Sequence, residues 1–279
     1  MSPPSLGRRQ EDSQCLFPVR AECPLGAPEL REGPYRVRFA RGEEDLERVL
    51  RLRFEVFNVE LREGLDRSWC TGLDEDRFDR SCQHLMLQDE RSGELVGTYR
   101  LQTAEMAAAG PGFYCAQEFD LSRLPKDVVE GSVELGRACI AKDHRHGLAL
   151  FALWRGLALY TKLFDKRYLF GCCSLTSQDP REGLGMLRRL EREGRISREF
   201  LVEPRPLFAC EGPDDGSFEA EVPKLFGTYL RYGAVACGPP AIDRAFKTID
   251  FFIVLDVQLL DPRLHALFFA GFEDVGRKP

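Results

Sequence analysis

The 279-residue chain lacks an uninterrupted apolar run of membrane-spanning length. Its most apolar stretch, Leu148 to Phe164, is broken by Arg155 and Lys162, whereas a spanning helix needs about 20 predominantly apolar residues. A buried helix is the expectation there. The first thirty residues carry charges and prolines instead of an apolar run, so no secretory leader is expected. A positive excess is missing too. Lys and Arg number 39 against 45 Asp and Glu, a formal net charge of -6, which argues against non-specific nucleic-acid binding. The ten cysteines include no CxxC pair and no disulfide-framework spacing. They read as reduced thiols of a cytoplasmic protein, several of them packed as small hydrophobes. No Gly-rich nucleotide or dinucleotide loop is present.

What is present has a clear order. Residues 1–33, punctuated by prolines, read as a disordered leader, with order starting at Tyr35. Tyr35-Arg36-Val37-Arg38-Phe39 alternates apolar and basic residues and predicts a strand. Glu43 to Phe57 predicts a helix with acidic residues in its first turn and Leu46, Val49, Leu50, Phe54 and Phe57 on one face. A long polar connection over 58–82 carries Asp66, Asp74, Glu75, Asp76 and Asp79; a loop of that length in a compact domain is usually functional or disordered. A hairpin follows (84–87, 94–103), then a strand over 132–141, a helix over 148–164, a strand over 167–173, helices over 181–193 and 223–232, and an apolar strand over 249–257. Short irregular pieces fill 103–132. This order predicts an α+β fold around one sheet, with a single domain over 34–262 and a tail over 263–279.

Several charged residues stand in apolar surroundings. Arg53 and Phe57 share a helix face, and a buried Arg there needs a partner, for which the acidic loop is the nearest source. Arg100, in the strand Gly97-Thr98-Tyr99-Arg100-Leu101, points either to solvent or into a polar pocket. In Val133-Glu134-Leu135-Gly136-Arg137, a bulge at Gly136 would bring Glu134 and Arg137 onto one face; an edge strand with exposed charges is the other reading. His144 and His146 have no third ligand nearby, so no metal is expected. Cys172-Cys173 has no adjacent base and reads as strand packing. Arg188, Arg192 and Arg195 recur at i, i+4, i+7, either as a solvated face or as a dock for an acidic partner.

As a set, Arg53…Phe57, Asp76-Arg77-Phe78-Asp79, His84-Leu85, Gly97-Thr98-Tyr99-Arg100-Leu101 and Glu134-Leu135-Gly136-Arg137 resemble the acyl-homoserine-lactone synthases and their relatives, the ornithine-acyl carrier protein N-acyltransferases and N-acyl amino acid synthases. Asp143-His144-Arg145-His146-Gly147, Leu153-Trp154-Arg155-Gly156-Leu157, Tyr168 to Ser174, Pro223-Lys224-Leu225-Phe226, Gly238 to Asp243 and Thr248-Ile249-Asp250-Phe251 resemble the ornithine branch. The resemblance spans about residues 36–260. It implies a GNAT-like fold, with a splayed mixed sheet flanked by helices. It implies transfer of a (3-hydroxy) fatty acyl group from acyl carrier protein to the α-amine of ornithine or a related amino acid. No cofactor is implied beyond the thioester co-substrate. The usual GNAT pyrophosphate loop is altered, because Arg145-His146-Gly147-Leu148-Ala149 has its Gly one place early; that suits a carrier-protein donor better than acetyl-CoA.

On this resemblance Glu134, Arg137 and Arg100 are the expected catalytic group, with Glu134 as base, directly or through water. Arg53, Phe57, Asp76 and Asp79 are the expected substrate-binding group. Arg188, Arg192 and Arg195 are the expected carrier dock. Cytoplasmic placement with peripheral contact at the inner membrane face is compatible with so greasy a product. The competing expectations are an acyl-homoserine-lactone synthase, and a non-catalytic acyl- or carrier-binding protein.

Overall fold

The computed structural model describes residues 28–213, 216, 218 and 220–275. The expected leader lies outside them as far as residue 27. Order begins before Tyr35, however: Leu30–Glu32 (β1) pairs antiparallel with Tyr35–Phe39 (β2). The sheet continues through Gln83–Asp89 (β3), Leu95–Thr103 (β4), Ser132–Ile140 (β5) and Tyr168–Leu175 (β6). Val235–Ala236 (β7), Ala241–Asp243 (β8) and Thr248–Asp256 (β9) complete it. Its order is β1-β2-β3-β4-β5-β6-β9-β8, with β7 also on β9. Every pairing is antiparallel except that of β5 with β6.

The parallel pairing runs only from Ser132↔Tyr168 to Leu135↔Gly171. Beyond it β5 remains paired with β4, and β6 with β9. The two central strands therefore part company in the middle of the sheet. Gly171 marks the last contact. A Cβ there would lie 2.3 Å from the carbonyl oxygen of Leu135, so only glycine permits this approach. On the other side of β5, Thr98↔Cys139 and Arg100↔Gly136 leave Arg137 and Ala138 opposite Tyr99 alone. The bulge expected at Gly136 thus falls one residue later, with Arg137 in the left-handed region at φ 48°.

Gly42–Arg53 (α1) begins with Glu43, Glu44 and Asp45, which oppose the helix dipole, and buries Leu46, Val49 and Leu50. The predicted continuation to Phe57 is a π-helical stretch, Phe54–Glu60. Gly147–Leu163 (α2) covers β2 and β3; a Cβ on its Gly156 would sit 2.7 Å from Leu85 Cδ2 and 2.8 Å from Val37 Cγ1. Pro180–Arg192 (α3) and Lys224–Arg231 (α4) follow. Pro262–Phe269 (α5) falls where a tail was expected, yet its Phe268 stacks on Trp154 of α2 at 5.4 Å. Arg155 ties β1 to the end of α5. Its guanidinium donates to Glu32 of β1 at 2.9 Å and to the carbonyls of Phe268 and Ala270 at 2.8 and 2.6 Å. No helix among the described residues is long and apolar enough to cross a membrane.

Candidate active site

Arg53, the last residue of α1, is completely buried against the long acidic loop. Its Nε donates to Asp74 at 2.8 Å, and its Nη1 and Nη2 to Asp79 at 2.6 and 3.3 Å. From β4, Arg100 Nη1 donates to both oxygens of Asp76 at 2.7 and 2.8 Å and to Asp79 at 3.0 Å. From the β5 bulge, Arg137 Nη2 reaches Asp76 at 3.0 Å, and its Nε lies 3.4 Å from Asp74. Three guanidiniums and three carboxylates thus interlock. Burial alone would raise the Asp76 carboxyl, but Arg100 and Arg137 outweigh it and hold it below the usual range. Burial likewise opposes ionisation of Asp79, and Arg53 and Arg100 reverse that too. His84 donates from Nε2 to the carbonyl of Asp79 at 2.9 Å; burial pushes its pKa down to about 4, so it stays neutral. Arg53, Asp76, Asp79, Arg100 and Arg137 are therefore one network, and Arg100, for which spacing alone favours solvent slightly, is instead buried.

Tyr114 covers this network. The Arg100 and Arg137 guanidiniums lie 5.3 and 4.8 Å from its ring centre, and Phe78 packs edge-on at 5.5 Å. Its hydroxyl donates to Asp243 at 3.0 Å. The backbone that carries Tyr114 is held by Glu134, whose two carboxylate oxygens accept the N–H groups of Tyr114 at 2.9 Å and Cys115 at 2.7 Å. Burial raises the Glu134 carboxyl, and these N–H groups oppose the rise. The bulge does not bring Glu134 into contact with Arg137. Glu134 faces the turn and Arg137 faces the aspartates, so the carboxylate–guanidinium pair expected from sequence does not form.

Two cavities meet where β5 and β6 part. One, about 460 Å³, is lined by Gly136, Arg137 and Ala138 from β5, Cys172 to Ser174 from β6, and Phe57, whose ring meets Phe246 at 5.4 Å. The second, about 450 Å³, shares Phe57, Tyr99 and Ala138 with it and reaches His146 and Gly147 at the start of α2. A third space of about 760 Å³ lies behind Tyr114 and Arg137 and is lined by Asp76, Glu118 and Asp243. Glu118, from this space, meets Cys172 and Asp250, from the first cavity, with ligand atoms within 4.8 Å of one another, the one such group among the described residues that could hold a metal ion.

Sequence reasoning missed Tyr114, Glu118, Asp243 and Asp250 as site residues. An Asp in the middle of the apolar strand β9 was the available signal, since a buried charge demands a function or a partner. His144 and His146 clasp the hydroxyl of Tyr35, each at 2.9 Å. Arg188, Arg192 and Arg195 do not join the cleft: Arg188 donates to the carbonyl of Phe218 at 3.0 Å, Arg192 ends α3, and Arg195 follows it.

Residues 52–155 match the acetyltransferase (GNAT) domain family. With the splayed sheet, this match gives the chain a GNAT acyltransferase fold. An L-ornithine N(alpha)-acyltransferase from Rhodobacter capsulatus is 32% identical over 242 residues, covering 82% of this chain and 92% of that protein. Another from Brucella abortus is 30% identical over 249 residues, covering 84% and 88%. An N-acyl amino acid synthase from uncultured soil microbes, of known structure, superposes with a TM-score of 0.47 at 11% identity, covering 81% of this chain and 94% of that one. The chain belongs to the L-ornithine N(alpha)-acyltransferase family and is an N-acyltransferase.

Proposed function

We propose that the chain transfers a 3-hydroxy fatty acyl group from acyl carrier protein to the α-amine of ornithine, giving an N-acyl amino acid of the lyso-ornithine-lipid type. The observation that carries this reading is the cleft opened by the parting of β5 and β6 after Leu135 and Gly171. Backbone groups that continued pairing would consume are left beside an extended slot. An amide-bearing thioester arm fits such a slot by adding strand-like hydrogen bonds. The first-turn N–H groups of α2, at the far end of the second cavity, suit the arm's phosphate. Arg145 is committed to Glu60 at 2.6 and 2.7 Å and to the carbonyl of Ile140. That leaves it less available for the second phosphate of a nucleotide donor, in keeping with a carrier protein.

The α-amine of a free amino acid is mostly protonated at pH 7, so a proton must leave before attack. The neutral amine attacks the thioester carbonyl, and the carbon–sulfur bond breaks to release the carrier thiol. N–H groups at the Arg137 bulge are placed to stabilise the oxyanion. Arg137, lining both the cleft and the polar space, receives the acceptor's carboxylate. Glu134 acts by holding Tyr114 in place, and water carries off the amine's proton. Arg188, Arg192 and Arg195 form the basic surface for the acidic carrier. Arg192→Glu is expected to raise KM for the carrier several-fold at unchanged kcat; an unchanged KM sinks that dock. The amphiphilic product supports cytoplasmic placement with contact at the inner membrane face.

The test is a mass-spectrometric product screen with 3-hydroxypalmitoyl carrier protein and a pool of amino acids. N-acyl-ornithine as the main product is the expected result. No N-acylated amino acid, with the thioester intact, would reject the reading.

A further inference from the structure

Behind Tyr114 lies a concentration of buried carboxyl groups that the mechanism above does not use. Glu118 and Asp250 are 1% and 3% exposed, and neither forms an ion pair among the described residues. Glu118 Oε1 and Asp250 Oδ1 each receive no donor from another described residue, and the two carboxyls lie close enough to share a proton when no cation is bound. Asp243 stands beside them but is satisfied, by Tyr114 and by the N–H groups of Ala245 and Phe246 at 2.8 and 2.9 Å. Unsatisfied buried carboxylate oxygens are costly, and each demands an explanation. The interlocked arginines do not pair with these oxygens: the hydrogen bonds they make to carboxylates go to Asp74, Asp76 and Asp79.

The pair sits at a junction. Asp250 lines the thioester cleft, and Glu118 lines the polar space behind it. Asp250 is in register with Ser174 on β6, three residues past the point where the central strands part. Arg137 borders both spaces. The site therefore offers a cation for a carboxylate, and a pair of open carboxylate oxygens for a cation.

We propose that Glu118 and Asp250 are the specificity site for the acceptor, binding the side-chain ammonium of a short basic amino acid while Arg137 takes its carboxylate. This rests on the reading that the acceptor is an amino acid. A primary ammonium presents three donors and matches the two open oxygens. A transition metal matches less well. Its third ligand would be Cys172, and the metal would have to displace both that thiol's proton and its contact with Cys115 at 3.4 Å.

The experiment compares kcat/KM for ornithine with that for norvaline, which has the same carbon chain ending in a methyl group, using one acyl donor. The wild type is expected to prefer ornithine about 100-fold or more, because norvaline leaves the acidic pair unpaired. Glu118→Gln and Asp250→Asn are each expected to reduce that ratio at least tenfold. For a variant that turns over neither amino acid, the same ratio is read from dissociation constants by calorimetry, with Asp250→Ser as the second variant. A wild-type ratio near one, or ratios unchanged in the variants, overturns the assignment while leaving amino acid acylation standing. A ratio that requires added zinc and is lost with chelator also overturns it, in favour of a metal. If wild type acylates neither amino acid, the acceptor reading fails and this assignment fails with it.

Discussion

Arg53→Ala is expected to destabilise the protein by about 3–5 kcal/mol, a fall in Tm of roughly 6–20 °C for a chain of this size. The side chain is completely buried, as are both its partners, Asp74 and Asp79. Removing it leaves two carboxylates in the interior with fewer donors, and a buried charge that loses its partner costs far more than the pair contributed. The loss also spreads. Asp79 accepts from Arg100 as well, and Arg100 shares Asp76 with Arg137, so the base of the cleft loosens along with α1. Adding Asp74→Asn to Arg53→Ala is expected to recover part of the stability, since one stranded charge is removed. Urea titration of the single and double variants reads both effects. A single-variant loss under about 1 kcal/mol would show that water reaches the network. Acid should act in the same direction. Asp76 and Asp79 are held below the ordinary carboxylate range, so their contribution is present above about pH 4 and lost as pH falls further.

Much of this network was legible before any coordinates. Helical spacing put Arg53 on an apolar face, and the acidic loop was the nearest source of partners. The longer strands and the main helices fall within a residue or two of expectation, because period-2 and period-3.6 patterns are strong in segments such as β9 and α2, whereas the two- and three-residue strands β1, β7 and β8 are too short to carry a period and were not expected. Three things were not legible, each for a physical reason. The bulge falls at Arg137 and not at Gly136 because the ion pairs with Asp74 and Asp76 hold Arg137 in a left-handed conformation, which outweighs the local preference for glycine. The surroundings of Glu134, whose two oxygens accept N–H groups from a turn twenty residues away, were not legible either, because no local pattern encodes that contact. The tail is a packed helix because Trp154, Arg155 and Phe268 meet across more than a hundred residues.

Glu118 and Asp250 escaped notice for the same reason, and their chemistry sets up the last expectation. Burial raises the Glu118 carboxyl well above its ordinary value, and the neighbouring Asp250 and Asp243 raise it further, while Arg137 pulls it down. Asp250 is raised chiefly by burial, with Ser174 and Glu118 opposing. The Cys172 thiol also faces the pair. Two such carboxyls cannot both ionise while the site holds no cation. An arriving ammonium changes that balance, so ornithine should displace a proton on binding. Norvaline carries the same α-amine and the same carboxylate, and it serves as the blank for any proton lost there. Calorimetry in buffers of different ionisation enthalpy is expected to show about one more proton released by ornithine than by norvaline. Between the ordinary carboxylate range and the raised pKa of Glu118, ornithine affinity relative to norvaline should climb about tenfold per pH unit. Stability of the unliganded protein runs the other way. A group raised on folding contributes stability that is complete below its unfolded pKa and is lost as pH rises through its folded pKa. The wild type should therefore lose about 1.4 kcal/mol per pH unit relative to Glu118→Gln across that window, and saturating ornithine should offset the loss. Equal proton release by the two amino acids would mean that the side-chain ammonium never meets the acidic pair.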